Sequence, residues 1–200
     1  MERPLPRPES LRERKQRRTR EAIIEAAHAL FAERGFDRVT VNDIAERAEV
    51  GRATFFRYFG DKQEVIFSAR QQPDPAVLSE LVAPAEEPVG DSLEAALVHL
   101  RWVVAALVSR LVEEHDVYLR HERLVAAHPE LVARSLTKYR LYAEAMDRML
   151  RDQGVDPGTA VLASELALAC FHTGRAEAAD DPARLPGAVD AAFARLLSGP

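Results

Sequence analysis

No proline falls between Pro8 and Pro73, and from Ile23 onward that stretch carries apolar residues at helical spacing. A chain segment of that length without a proline is free to form closely spaced helices, because every interior residue keeps its backbone donor. Ile23, Ala27 and Leu30 repeat three to four residues apart, with Ile24 and Phe31 beside them, which predicts a first helix from about Leu11 or Arg17 to Arg34. Gly35 follows as a left-handed terminator, and Phe36 can fold back on Phe31. Thr40 with Asp43 three residues on forms a capping box for a second helix, Val41 to Ala48, flanked by Val39 and Ile44 as a hydrophobic staple. A break at Glu49-Val50-Gly51 leads to a third helix, Arg52 to Phe59. Gly60 ends it, and Asp61 with Glu64 opens a fourth that runs to about Arg70.

Pro73, Pro75, Pro84 and Pro88 then crowd into a stretch of mixed polarity, which reads as a linker or irregular connection. Beyond it the pattern is of long helices. Leu93, Leu97, Leu100, Val104 and Leu111 mark one, with Val98, Trp102 and Ala105 as a second apolar face that predicts burial from two sides. Val117, Leu119, Leu124 and Val125 mark the next. Val132, Leu136, Tyr139, Ala143, Met146 and Leu150 mark a third, which stops at Gly154. Two more start near Pro157 and Pro186, where a missing N–H does no harm. No alternating strand pattern occurs. The expected fold is all-α, with about nine helices: an N-terminal three-helix helix-turn-helix domain and a C-terminal helical bundle.

Charge separates the two ends. Residues 1–62 carry 14 Lys and Arg against 11 Asp and Glu, whereas residues 63–200 carry 13 against 21. Only the N-terminal part suits a polyanion; the rest is acidic enough to be repelled by phosphate. Cys170 is the single cysteine, so no internal disulfide is possible, which fits the cytosol. No apolar run of about 18 residues predicts a transmembrane helix, and the N-terminus lacks the apolar core of a signal peptide. A cytoplasmic protein with no membrane partner is expected.

Two short helices joined by a tight turn, behind a longer helix and a basic arm, fit a DNA-reading helix-turn-helix. Ala45 is small where the helices cross. Ile44, Val50 and Phe55 supply a local core, and Arg52, Thr54 and Arg57 are polar positions on the third helix. An arginine at the start of a recognition helix can take guanine O6 and N7 bidentately. Residues 1–16 read as a disordered basic arm in which Arg14 and Lys15, followed by Arg17 and Arg18, stand near DNA or in solvent.

The run Thr40-Val41-x-x-Ile44-Ala45-x-x-Ala48-x-Val50-x-x-x-Thr54-Phe55-Phe56-Arg57-Tyr58-Phe59-x-x-Lys62, with Ala27 to Phe36 before it, resembles the N-terminal signature of the tetracycline-repressor (TetR) family. The resemblance covers about residues 17–70. It implies a helix-turn-helix domain over 17–62 and a ligand-binding and dimerisation domain over 63–200. It further implies a homodimer that binds a near-palindromic double-stranded DNA operator and is released by a small, mainly apolar effector. By the same resemblance Arg52, Ala53 and Phe56 face bases, while Thr54, Arg57, Tyr58 and Lys62 contact the DNA backbone; Thr40, at the start of the second helix, suits phosphate clamping by its position. Spacing alone assigns Phe55 and Phe59 to the core and leaves Phe56 open between core and base. Two positions depart from the family pattern: Glu49 replaces the usual glycine of the turn, and Gly51 the usual capping serine.

In the C-terminal part, the segment after Pro157 is apolar nearly all round and rich in small residues. Its Val161, Leu162, Leu166 and Ala169, with Phe193, Leu196 and Leu197 of the last helix, are the expected dimer interface; core within one subunit is the alternative. The expected pocket residues are His99, Trp102, Val103, Tyr118, His121, Tyr139, Tyr142, Met146, His172 and Arg175. No catalytic group, metal or cofactor is expected. Cys170 and His172 lie two residues apart and so diverge on a helix, and the spacing of His115, Asp116, His121 and Glu122 matches no common metal motif. Two other readings stay open: a DNA-binding protein of this type without a small effector, and a helical ligand-binding or catalytic domain with a vestigial reader.

Overall fold

A computed structural model of the chain describes residues 10–68 and 89–198. Among these residues there are nine α-helices, one short 3₁₀ turn and no strand. The described residues divide into two compact units, one on either side of the proline-rich stretch.

The first unit holds α1 (Leu11–Arg34), α2 (Val41–Arg47), α3 (Arg52–Tyr58) and α4 (Lys62–Ile66). Helix α1 buries Ile23, Ala26, Ala27, Leu30 and Phe31. Its N-terminus takes the earlier of the two expected starts, Leu11, so the helix overlaps the end of the arm expected over 1–16. Ser10 and Glu13 form a reciprocal capping box, so Arg14 and Lys15 stand in the first turns of a helix, exposed, with Arg17 and Arg18 behind them. The residues following Ser10 are strong helix formers, which carry α1 outward without an apolar stripe. Residues 1–9 lie outside the described part.

Gly35 ends α1 with φ +78° but an extended ψ of 150°, so it is not the left-handed cap expected. It still returns its N–H to the Phe31 carbonyl, and Phe36 packs edge-on against Phe31 at 5.3 Å. The Thr40–Asp43 capping box starts α2 as the sequence predicts. Arg47 of α2 grips Glu33 of α1 through two hydrogen bonds, 2.9 and 2.8 Å, and fixes the angle of the pair. The unit runs past Lys62, because Val65, Ile66 and Phe67 are buried with it and Arg20 of α1 donates to the Ser68 carbonyl at 2.9 Å.

The second unit holds α5 (Leu93–Leu111), α6 (His115–Ala127), α7 (Pro129–Asp152), α8 (Pro157–Ala178) and α9 (Leu185–Leu197), with the 3₁₀ turn Pro182–Arg184 before α9. Prolines 129, 157, 182 and 186 all sit at element starts. Helix α8 packs on α5, α7 and α9 and is the centre of this unit. It can be, because the residues it buries are small: Ala160, Ala163, Ser164, Ala167, Cys170, Gly174 and Ala178. At Gly174 the backbone of α9 approaches so closely that a Cβ would lie 2.6 Å from the Val189 nitrogen. Arg101 of α5 and Asp190 of α9 add a two-pronged ion pair at 2.6 and 2.7 Å.

Three expectations change here. Helix α5 is buried on one face only, through Ala96, Leu97, Leu100, Val103, Val104 and Val108. Val98, Trp102 and Ala105 stay exposed, Trp102 by 72%. Phe193, expected at the dimer interface, is wholly buried in the core of its own unit and has no surface to offer a partner. Helix α7 buries Leu131, Ser135, Ala145 and Met149 beside Ala143, Met146 and Leu150, which turns Val132 and Leu136 outward. No single described helix is long and apolar enough to cross a membrane.

Candidate functional site

The DNA-reading candidate is the outer face of α3. Phe55 and Phe59 are buried, their rings 5.7 Å apart, and they pin the helix to the core of the first unit. One residue beyond Phe55, Phe56 turns outward and is 45% exposed. Arg52, Ala53 and Arg57 share its exposure, whereas Thr54 and Tyr58 are half-buried at the sides. The Arg52 guanidinium lies over the Phe56 ring at 5.5 Å, and that of Arg57 over the Tyr58 ring at 5.3 Å. Each contact restricts a long side chain, so less rotamer freedom remains to be lost on binding. Gly51 caps α3 with no side-chain hydrogen bond. Ahead of it, Glu49 adopts φ +54°, the left-handed conformation that the missing turn glycine demands.

Two residues assigned to phosphate have other partners. The Thr40 hydroxyl is engaged with Asp43 in the capping box. The Lys62 ammonium donates to the carbonyls of Phe36 at 2.8 Å and Val39 at 3.0 Å, and lies 4.2 Å from the Phe36 ring centre. Lys62 therefore stitches α4 to the α1–α2 connection, a role its position in the motif does not disclose.

The second unit contains a cavity of about 620 Å³ between α6, α7 and α8. Of the expected pocket residues, Tyr118, Tyr139, His172 and Arg175 line it. Val103 and Met146 are core instead, Trp102 is exposed, and His99, His121 and Tyr142 are half-buried away from this lining. Its polar wall is centred on Arg175, which donates to the Tyr139 hydroxyl and pairs with Glu122. Burial pushes the Glu122 carboxyl above the usual carboxylate range, and the neighbouring guanidinium reverses this only in part. Burial likewise pushes the Tyr139 phenol up to about 12, and burial together with Arg175 pushes the His172 imidazole below its ordinary range. Tyr139 also packs edge-on against His172 at 5.0 Å. Leu119, Val125, Val132 and Leu136 give the lining its apolar part, Leu136 being 58% exposed. Sequence reasoning missed Glu122, Val132 and Leu136 as lining residues. Glu122 and Arg175 lie 53 positions apart, a pairing with no periodic signal.

Residues 23–69 match the family model described as bacterial regulatory proteins, tetR family. That part of the chain is a tetR-family domain. The chain is similar to the HTH-type transcriptional regulator TcmR of Streptomyces glaucescens, 37% identical over 139 residues, which are 68% of this chain and 60% of that protein. The chain thus spans about three fifths of the length of this curated relative, and the match to YdeS of Bacillus subtilis, 47% identical, covers 26% of each chain. Among solved structures, Thermus thermophilus FadR, described as a TetR-family repressor in complex with lauroyl-CoA, superposes with a TM-score of 0.52 at 27% identity. That alignment covers 90% of this chain and 93% of the other. The tetR-family fold thus extends through the second unit, beyond the matched reader.

Proposed function

We propose that this chain is a tetR-family transcriptional repressor that binds a near-palindromic operator as a homodimer and is released when a small molecule fills the α6–α7–α8 cavity. The observation that carries the reading is the outer face of α3. Arg52, Ala53, Phe56 and Arg57 are exposed together on a helix that Phe55 and Phe59 anchor from behind. An arginine and an aromatic side chain on one major-groove face can read a guanine edge and a thymine methyl. The dimer is supported by the outer face of α8, where Val161, Leu162 and Ala169 are exposed with Leu196 of α9, while Leu166 and Leu197 are half-buried beside them. The effector is supported by the cavity and by the ligand named for FadR. A ligand that favours the non-binding form of the dimer lowers operator affinity by the same factor by which DNA lowers affinity for the ligand.

The test is fluorescence anisotropy on the DNA flanking the protein's own gene, over a salt series, beside Arg52→Ala. Specific binding that weakens steeply with salt, and its selective loss in the variant, is the expected result. No affinity for any DNA at low salt defeats the reading.

A further inference from the structure

The polar wall of the cavity holds a carboxylate already, and it belongs to the protein. Glu122 reaches from α6 to Arg175 of α8, and Tyr139 of α7 completes the cluster, so three helices meet on one guanidinium. The titratable and charged groups facing that wall are Tyr118, Glu122 and Arg123 from α6, Tyr139 from α7, and His172, Arg175 and Asp180 from α8 and its end. Arg175 is permanently cationic. In the same lining Val132 and Leu136 are large apolar side chains, 38% and 58% exposed, which water stabilises poorly and an apolar body would cover.

We propose that the effector is a monocarboxylic acid with an apolar body, its carboxylate taking Arg175 from Glu122 and its body covering Val132 and Leu136. The inference rests on the effector reading above and names the chemical class that reading leaves open. Two carboxylates beside one guanidinium in a part-buried wall cannot both stay ionised at little cost. Glu122 is the one held in its charged form at a disadvantage, since burial already raises it. It therefore takes a proton from solvent as the ionised acid arrives, and the wall returns to the net charge it had. Each acid bound draws in one proton. Affinity consequently rises as pH falls, by up to about tenfold per pH unit, until Glu122 is protonated in the free protein as well. An amide of the same shape brings no charge, displaces nothing and draws in no proton.

The probes are decanoate and 2-naphthoate, a linear and a flat acid, each beside its own amide. Binding to the full chain is followed by calorimetry without DNA, at pH 7.5, in phosphate and in Tris. The expected result is that at least one acid binds ten times or more tighter than its amide, with close to one proton taken up per acid. In Glu122→Gln the uptake falls to near zero and the pH dependence flattens. In Arg175→Gln the preference for acid over amide disappears. Arg175→Lys, which keeps the charge, retains part of it, so a folding defect in one variant does not decide the matter. Amides that bind as tightly as acids, acid binding without proton uptake, or no binding of either acid up to a millimolar overturns the proposal. Because no DNA is present, such a failure leaves operator binding untouched, and a failure to bind operator leaves the calorimetric result standing.

Discussion

Glu49 and Gly174 show how a single backbone position decides what a side chain may be. Glu49 sits at φ +54°, where the Cβ of an L-residue crowds the following carbonyl at a cost of about 1 kcal/mol. The turn between α2 and α3 needs that geometry to bring Val50 back to the Ala45 carbonyl at 2.9 Å. Glu49→Gly is therefore expected to stabilise the first unit by up to about 1 kcal/mol, less whatever the freer unfolded chain takes back. Slower amide exchange in α2 and α3 is the readout, and faster exchange contradicts the account. Gly174 is the opposite case. A methyl group there meets Val189 at 2.4 Å and its backbone at 2.6 and 2.7 Å, so α9 itself must move. Gly174→Ala is expected to destabilise the second unit by about 3 kcal/mol, the upper end for overpacking, seen as a lower melting temperature by circular dichroism. A variant that melts like the wild type shows that α9 can slide. Neither residue announces this role in sequence. The glycine missing from position 49 is visible only against a family pattern, and Gly174 lies inside a helix where propensity alone counts it as a defect.

The helices themselves were legible to different degrees, for physical reasons that differ from one to the next. Helices α2 and α3 are bounded by local chemistry (the Thr40–Asp43 box, the Glu49 turn, Gly51), so a short window of sequence contains everything that defines them. The start of α1 was legible only as one of two alternatives, Leu11 or Arg17, because its first turns carry no apolar face and only the Ser10–Glu13 box marks them. The upper half of α7 misled in the other direction: Val132 and Leu136 have core spacing yet face a cavity, since period reports a face and not what covers it. Lys62 is the sharpest instance, a motif lysine whose ammonium holds the Phe36 and Val39 carbonyls. Lys62→Met is expected to weaken binding to all DNA through a loosened α1–α2 connection while leaving the slope of log affinity against log salt unchanged. A slope reduced by about one places Lys62 on a phosphate instead. The capping boxes also predict a pH response. Hydrogen bonds from Thr40 hold the Asp43 carboxyl below its ordinary value of 3.8. The stabilisation it gives is full above that value and is lost as pH falls toward the lower folded one. Acid titration followed by exchange at α2 is expected to show protection fading there, and to show less pH dependence in Asp43→Asn.

At the scale of the molecule, the proposed function requires two readers held together, and the surface of α8 is the place to ask how. One reader covers half of a near-palindrome and gains little alone. Tethering two converts the second contact into an intramolecular event, and overall affinity then exceeds either half-site by orders of magnitude. A twofold interface must be self-complementary, so a single charge placed on it appears twice and faces its own copy or an apolar surface. Val161 and Leu162 are exposed on α8 while the residues that hold α8 in its own unit, such as Ala163 and Ala167, are buried. Leu162→Glu should therefore leave the fold of the protomer alone and oppose self-association. Sedimentation is expected to report a dimer for the wild type and a shift to monomer for the variant, with circular dichroism unchanged. Operator affinity should fall with it by at least tenfold, and affinity for an isolated half-site should not. A variant that stays dimeric assigns the interface elsewhere, to the exposed Val98 and Trp102 of α5 in the first instance. A variant that becomes monomeric yet binds the full operator as before removes the need for two tethered readers, and with it the twofold model of recognition.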